Sequence, residues 1–255
     1  MDIFGAIILG IVQGATEWLP ISSSGHLVIF EQLFKISADI FFNLMLHLAT
    51  LIAVCFVFRR DILDIIKSVI KRDFKSENGK LFLFLAVGSI PIALAGFFFE
   101  GFITSSFSSL TVVGIAMIIT GFLIMSTKFA KEKGGLSYGK SLFVGLFQAA
   151  ALLPGLSRSG ATISSSLLSG IEKQKAVRFS FLLSIPAIIG ATVFLIIKNP
   201  AFSFDTYLLA GMLTAMIVGY LAIKSLIKIV VNRRFYLFSI YCFILGSIVL
   251  YLALF

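Results

Sequence analysis

Four polar side chains stand out in a chain that is otherwise apolar: Glu17, Ser23, His26 and Arg158. Together they could do phosphoryl chemistry. A guanidinium offers a fork of donors that matches a phosphate. A carboxylate can hold a divalent cation or take a proton. An imidazole beside a hydroxyl can move a proton to or from it, and the hydroxyl can attack. Arg158 lies in Pro154-Gly155-Leu156-Ser157-Arg158-Ser159-Gly160-Ala161-Thr162, a polar insertion between long apolar runs. A charge at that depth needs a partner or a task. Gly155 and Gly160 can turn backbone N–H groups toward a cavity, and the helix that resumes near Ala161 points its positive end there. Ser157, Ser159 and Thr162 add hydroxyl donors, with capping of the broken helix as the plainer role. Glu17 follows Gln13 by one helical turn, so both face the same way. The plain alternative for Glu17 is a structural salt bridge to Arg158. His47, four residues after Asn43 inside an apolar run, reads as a helix-packing residue or as one that supports the residues at the site, and so does Asn43.

These residues sit in a membrane. The chain has 255 residues, is 59% hydrophobic and only 13% charged, and has a mean hydropathy of +1.07. Apolar runs near 20 residues recur throughout, the pattern of spanning helices, whereas a barrel would alternate over short segments. Residues 3–18 are broken at Leu19-Pro20, and a short helix follows from about His26 to Phe34. Neither half is long enough to cross, so the pair reads as re-entrant. A second such pair covers 141–153 and about 161–169, broken at Pro154-Gly155. Six spans are predicted at 39–58, 81–99, 110–127, 177–197, 206–226 and 235–254. Asp39 caps the first, and an amphipathic surface helix follows it, carrying Ile62, Ile65, Ile66, Val69 and Ile70. Glu100, Asn199 and Asp205 lie at span ends as caps or solvated residues.

The two halves share residues. Gly10, Gln13, Ser22, Ser24 and Gly25 recur 135 positions later as Gly145, Gln148, Ser157, Ser159 and Gly160. The fold expected is therefore all-α and polytopic, six spans plus two re-entrant helix–loop–helix pairs, as one membrane domain. Its repeats cover about 1–130 and 136–255. Three spans per half put the second repeat in inverted orientation. The loops 59–80, 128–140, 171–178 and 224–235 fall on one face and hold 18 of the 21 basic residues; Lys35 and Lys198 fall on the other. That asymmetry makes the basic face cytoplasmic and both termini extracytoplasmic. It also accounts for the net charge of +9 without nucleic acid. Cys55 and Cys242 are isolated and imply no pairing, and no basic leader marks a signal peptide.

At its polar stretches the chain resembles the undecaprenyl-diphosphate phosphatases, also called bacitracin-resistance proteins. Gln13-Gly14-Ala15-Thr16-Glu17 is similar to that family's Glu/Gln-x-x-x-Glu motif. Pro20-Ile21-Ser22-Ser23-Ser24-Gly25-His26 follows it, and Pro154 to Thr162 is similar to Pro-Gly-x-Ser-Arg-Ser-x-x-Thr. The resemblance runs over essentially the whole chain. It implies removal of the terminal phosphate from undecaprenyl diphosphate, which recycles the lipid carrier for peptidoglycan and other cell-wall synthesis and underlies bacitracin resistance. It implies a plasma-membrane enzyme that uses a divalent cation, Mg2+ or Ca2+, with its site open to the outer face; a homodimer is compatible with it. It maps the catalytic glutamate to Glu17, the histidine to His26, the serine to Ser23 and the phosphate-binding arginine to Arg158. Ser22, Gly155, Ser157, Ser159, Gly160 and Thr162 become substrate-binding, and Glu17 with Gln13 the metal ligands. Gln13 stands where many members have glutamate, which leaves one carboxylate. The competing class is transport, a flippase or anion carrier, since broken helices meeting at mid-membrane are also used there.

Overall fold

The computed structural model describes residues 2–34, 36, 38–198, 205–232 and 234–255. Lys35 and Asn199 lie outside them. Twelve α-helices make up the described residues, with no strand among them. The first is α1 (Ile3–Trp18), begun by Asp2, whose side chain accepts from the Gly5 N–H at 2.8 Å. Leu19-Pro20 ends it, and α2 (Ser23–Phe34) starts three residues earlier than expected. Asp39 caps α3 (Ile40–Val57) by accepting from the Phe42 N–H at 2.6 Å. The chain then bends by 80° into α4 (Arg59–Ile70), the amphipathic helix expected there. Ile65 is buried beneath it while Leu63, Ile66 and Ile70 face outward.

α5 (Glu77–Phe98) and α7 (Leu110–Ser126, extended by a 3-10 turn to Phe129) flank a short helix α6 (Glu100–Ser106) that the sequence reading left out. Glu100 opens α6 and pairs with Lys198. The second half runs α8 (Tyr138–Ala150), α9 (Arg158–Leu168), α10 (Lys173–Lys198), α11 (Thr206–Val231) and α12 (Phe238–Leu254, preceded by a 3-10 turn from Phe235). Five helices, α5, α7, α10, α11 and α12, are long and apolar enough to cross a membrane, and the bent pair α3 and α4 is a sixth candidate. Many of their Phe, Leu and Ile side chains face outward, Phe97, Phe98 and Phe122 among them. That exposure fits a lipid solvent and would be costly in water.

Small residues set the packing. α1 lies along α11, α8 along α5 and α7 along α12. A methyl group on Gly10 would come within 2.5 Å of the Gly211 carbonyl oxygen, and one on Gly145 within 2.3 Å of the Gly88 oxygen. Backbones that touch this closely are how helices pack where lipid supplies no hydrophobic drive. On the basic face Arg178 of α10 reaches Asp61 of α4 at 2.6 Å and Glu77 of α5 at 3.5 Å. These contacts hold the amphipathic helix down beside the bundle.

Candidate active site

The tip between α1 and α2 meets the tip between α8 and α9. Ser159 donates its hydroxyl to the Leu19 carbonyl at 3.0 Å, and the Arg158 guanidinium lies 5.7 Å from the centre of the Trp18 ring. Arg158 Nη2 pairs with Glu17 Oε1. The structural salt bridge weighed from the sequence is therefore present, and it joins residues 141 positions apart.

Glu17 is the hub. It is buried on the last turn of α1. Its second oxygen, Oε2, accepts from Gln13 Nε2 at 3.0 Å and from Ser23 Oγ at 2.5 Å, and faces His47 Nε2 at 3.4 Å. Gln13 reaches it because four residues make about one turn. Ser23 reaches it because the chain reverses at Pro20. The reversal needs Ser22 in the left-handed region, at φ +67°. A non-glycine residue there carries a strain of roughly 1–2 kcal/mol, and such strain clusters at functional sites.

His26 does not touch Ser23. Its Nδ1 lies 2.7 Å from the Ser22 carbonyl and its Nε2 lies 2.6 Å from the Tyr241 hydroxyl. A carbonyl only accepts, so Nδ1 carries the proton and a neutral ring accepts from Tyr241 at Nε2. The two rings stack, with centres 5.7 Å apart and planes 8° from parallel. The acid–base partner within reach of Ser23 is Glu17.

The second tip does more local work than its hydroxyls suggest. Helix α9 begins at Arg158, earlier than the expected Ala161, because Ser157 caps it: its Oγ accepts from the Gly160 N–H at 3.1 Å. The Gly160 N–H is thus occupied. Gly155 sits at φ +93° against the Val113 backbone of α7, a conformation and a closeness that only glycine allows. Thr162 donates to the Arg158 carbonyl at 2.8 Å and its hydroxyl lies 2.5 Å from Ser180 Oγ. Ser157 and Ser159 are 3.2 Å apart, as Ser22 and Ser24 are at 3.3 Å.

Among the polar atoms at this junction that are buried without a hydrogen-bond partner, two can meet a ligand's charge: Arg158 Nη1 and Gln13 Oε1. Orphaned donors and acceptors are costly without a ligand or water. One is cationic and suits an anion; the other is a carbonyl oxygen and suits a hard cation. Glu17, Gln13 Oε1 and Ser23 Oγ form an all-oxygen donor set of the kind Mg2+ or Ca2+ takes, too small to complete either shell without water or phosphate oxygens.

Sequence reasoning left one group open between two roles and missed another. His47, read as packing or as supporting the site, faces Glu17; its Nδ1 is held by the Asn43 carbonyl at 2.8 Å, and Asn43 donates to Glu31 at 2.8 Å. An ionisable residue inside an apolar span was the available signal. Tyr241 lies in α12, 215 positions from His26, and carried none.

The family model for bacitracin resistance protein BacA matches residues 6–248. The chain belongs to this family. It is 42% identical to the undecaprenyl-diphosphatase of Korarchaeum cryptofilum, an alignment covering 98% of this chain and 99% of that one. Identity to the undecaprenyl-diphosphatase of Desulfosudis oleivorans is 41% over the full length of both. The protein of the same description from Methanobrevibacter smithii is 42% identical over 98% of this chain and 97% of its own. Glu17, Ser23, His26 and Arg158 all fall inside the matched segment, and the described helices are the multi-pass membrane bundle expected of them.

Proposed function

We propose that this chain is the membrane phosphatase that cleaves undecaprenyl diphosphate to the monophosphate and inorganic phosphate, and so recycles the lipid carrier of cell-envelope glycans. The relatives bear the name of that activity over the whole chain. The observation that carries the residue roles is the short contact of Ser23 Oγ with Glu17 Oε2, beside an arginine nitrogen that has no other partner.

The prenyl tail lies among the outward phenylalanines and the diphosphate reaches the junction of the two tips. Arg158 binds the terminal phosphoryl oxygens through Nη1 without first releasing Glu17. Glu17 takes the Ser23 proton as Oγ attacks the terminal phosphorus. The bond from that phosphorus to the bridging oxygen breaks, and the prenyl monophosphate leaves. Charge that builds on the phosphoryl oxygens is met by the fixed guanidinium. Glu17 passes that proton to the departing phosphate, and its freed carboxylate takes a proton from the water that attacks the phosphoserine; as the bond from Ser23 Oγ to phosphorus breaks, Glu17 returns that proton to Oγ. Glu17 and Gln13 would hold the divalent cation, which neutralises diphosphate charge when bound. His26 holds the strained Ser22 turn by donating from Nδ1, and accepts from the Tyr241 hydroxyl at Nε2, so it positions the tip. His47 orients Glu17. Ser159 and Ser22 line the approach.

The proposal includes the inverted repeat and its orientation: basic face cytoplasmic, termini outside, site open to the outer face. Support comes from swapped packing, α1 on α11 and α8 on α5, with Gly10 against Gly211 and Gly145 against Gly88. A homodimer remains compatible with it. A flippase or anion carrier would need no nucleophile, and the Ser23–Glu17 contact favours hydrolysis.

Purified protein in detergent, given undecaprenyl diphosphate with and without chelator, should release inorganic phosphate and yield a phosphoserine at Ser23 on acid quench. Absence of phosphate release under any metal condition overturns the enzyme reading. Release with a fully active Ser23→Ala variant overturns the serine route.

A further inference from the structure

A second polar cavity lies at the far end of α9 from Arg158. It measures about 530 Å3 and is lined by Lys128, Lys131, Lys173, Leu167, Phe235 and Tyr236, with Glu132 at its wall. Leu167 lies nine residues along the helix from Arg158, about 14 Å at 1.5 Å per residue. The cavity therefore stands apart from the Glu17 junction and is built from loops of the basic face.

Its charge is unbalanced. Lys173 pairs with Glu132. Among the described residues, Lys128 and Lys131 have no acidic partner, and Lys128 Nζ sits 5.7 Å from the centre of the Tyr236 ring. Two uncompensated ammonium groups in a concave site draw an anion more strongly than the same charges on a flat surface. The neighbouring side chains say which kind of anion. Phe129, Leu168 and Leu237 adjoin the lining residues in sequence and face outward as large apolar groups. An acyl chain could lie along them while its headgroup enters the cavity, and basic pockets between membrane helices at the interface bind anionic headgroups. A free anion would gain nothing from that apolar rim.

We propose that this cavity is a binding site for the phosphate headgroup of an anionic membrane lipid, distinct from the catalytic junction. Lys128 and Lys131 take the phosphate charge, Tyr236 supplies a wall and a hydroxyl, and Lys173 stays committed to Glu132. The site needs no substrate and no turnover.

The test uses the full chain, purified in dodecyl maltoside and stripped of lipid. Binding of dioleoyl phosphatidic acid, dioleoyl phosphatidylglycerol, dioleoyl phosphatidylcholine and inorganic phosphate is read by native mass spectrometry and titration calorimetry. The wild type should retain both anionic lipids over phosphatidylcholine. Lys128→Gln/Lys131→Gln should weaken that retention about tenfold or more, since each interfacial lysine adds appreciably to anionic-lipid binding. Lys128→Arg/Lys131→Arg should restore it. Lys71→Gln/Lys75→Gln removes the same charge from the same face outside the cavity and should leave it near wild type. Phosphate release from a prenyl diphosphate by all four proteins verifies the fold. Equal loss in both glutamine pairs reduces the effect to a diffuse basic surface and overturns the site. Phosphatidylcholine bound as tightly overturns the anion, and inorganic phosphate bound while lipids are not overturns the lipid.

Discussion

The two tips are built alike and equipped differently. At each, a serine caps the following helix by accepting from the N–H three residues on, Ser22 from Gly25 at 3.3 Å and Ser157 from Gly160 at 3.1 Å. At each, the next-but-one serine lies beside the first. The carbonyl at the break is covered from a neighbouring span, that of Pro20 by Cys242 at 3.4 Å and that of Gly155 by Thr120 at 3.3 Å. The side chains at the candidate site positions diverge. Ser23 matches Arg158, Glu17 matches Leu152 and His26 matches Ala161 at the constant offset of 135. One tip thus carries a carboxylate and a hydroxyl, the other a guanidinium. The strain differs as well: the first tip places Ser22 at φ +67°, whereas Ser157 sits at −69° and the second tip uses Gly155 for its left-handed turn. Two tips of like backbone carry different side chains at a few sites, and those side chains are complementary.

That contrast can be broken from either side. The largest effects belong to the pair that joins the tips. Glu17→Gln and Arg158→Lys should each lower phosphate release by about 10²–10³-fold or more, because a lost base or a point charge cannot replace what was there. An Arg158→Lys protein with most of its activity would remove the guanidinium fork from the argument. Next comes Ser23→Ala, expected to fall by a similar factor while still binding undecaprenyl diphosphate; retained turnover would assign the attack to water. Smaller losses, about tenfold, should follow Tyr241→Phe and His47→Gln, which remove a positioning contact and no reacting group. For Tyr241→Phe the loss should sit in kcat rather than KM. The scaffold itself predicts symmetry: Gly10→Ala and Gly145→Ala should destabilise to similar extents, about 1–3 kcal/mol each, read as matched drops in thermal midpoint. One drop without the other would break the correspondence of the halves. Gly101→Ala in α6, where a methyl group meets nothing within 4 Å, should be neutral or gain up to about 1 kcal/mol.

Much of this was legible in the sequence because breaks and charges are local signals. Pro20 and Pro154-Gly155 end helices wherever they occur, and Asp39 and the amphipathic run after Arg59 needed no partner to be read. The constant offset brought Ser23 and Arg158 into register before any contact was known. What escaped were the choices that only packing makes. Helical periodicity gives His47 a face but does not say that α1 and Glu17 cover it. Tyr241 reaches His26 only because α12 passes the first tip. Thr162 looks like a phosphate donor in its motif, yet a buried hydroxyl takes the nearest acceptor, here the Arg158 carbonyl of its own helix, with the Ser180 hydroxyl beside it. His26 shows the same limit: adjacency to three serines in sequence suggested a partner among them, and the turn of α2 directed its ring to a carbonyl and a phenol.

The tryptophan at the end of α1 has one more consequence. Trp18 is the chain's single tryptophan, it is buried, and its ring faces the Arg158 guanidinium. The molecule therefore carries its own optical gauge of the junction. Its emission should respond when a diphosphate binds to the guanidinium beside it, with no dye attached. The same signal in Arg158→Gln should be set at a new level and stay flat during titration. Occupancy and turnover could then be followed on one sample, one by light and the other by released phosphate.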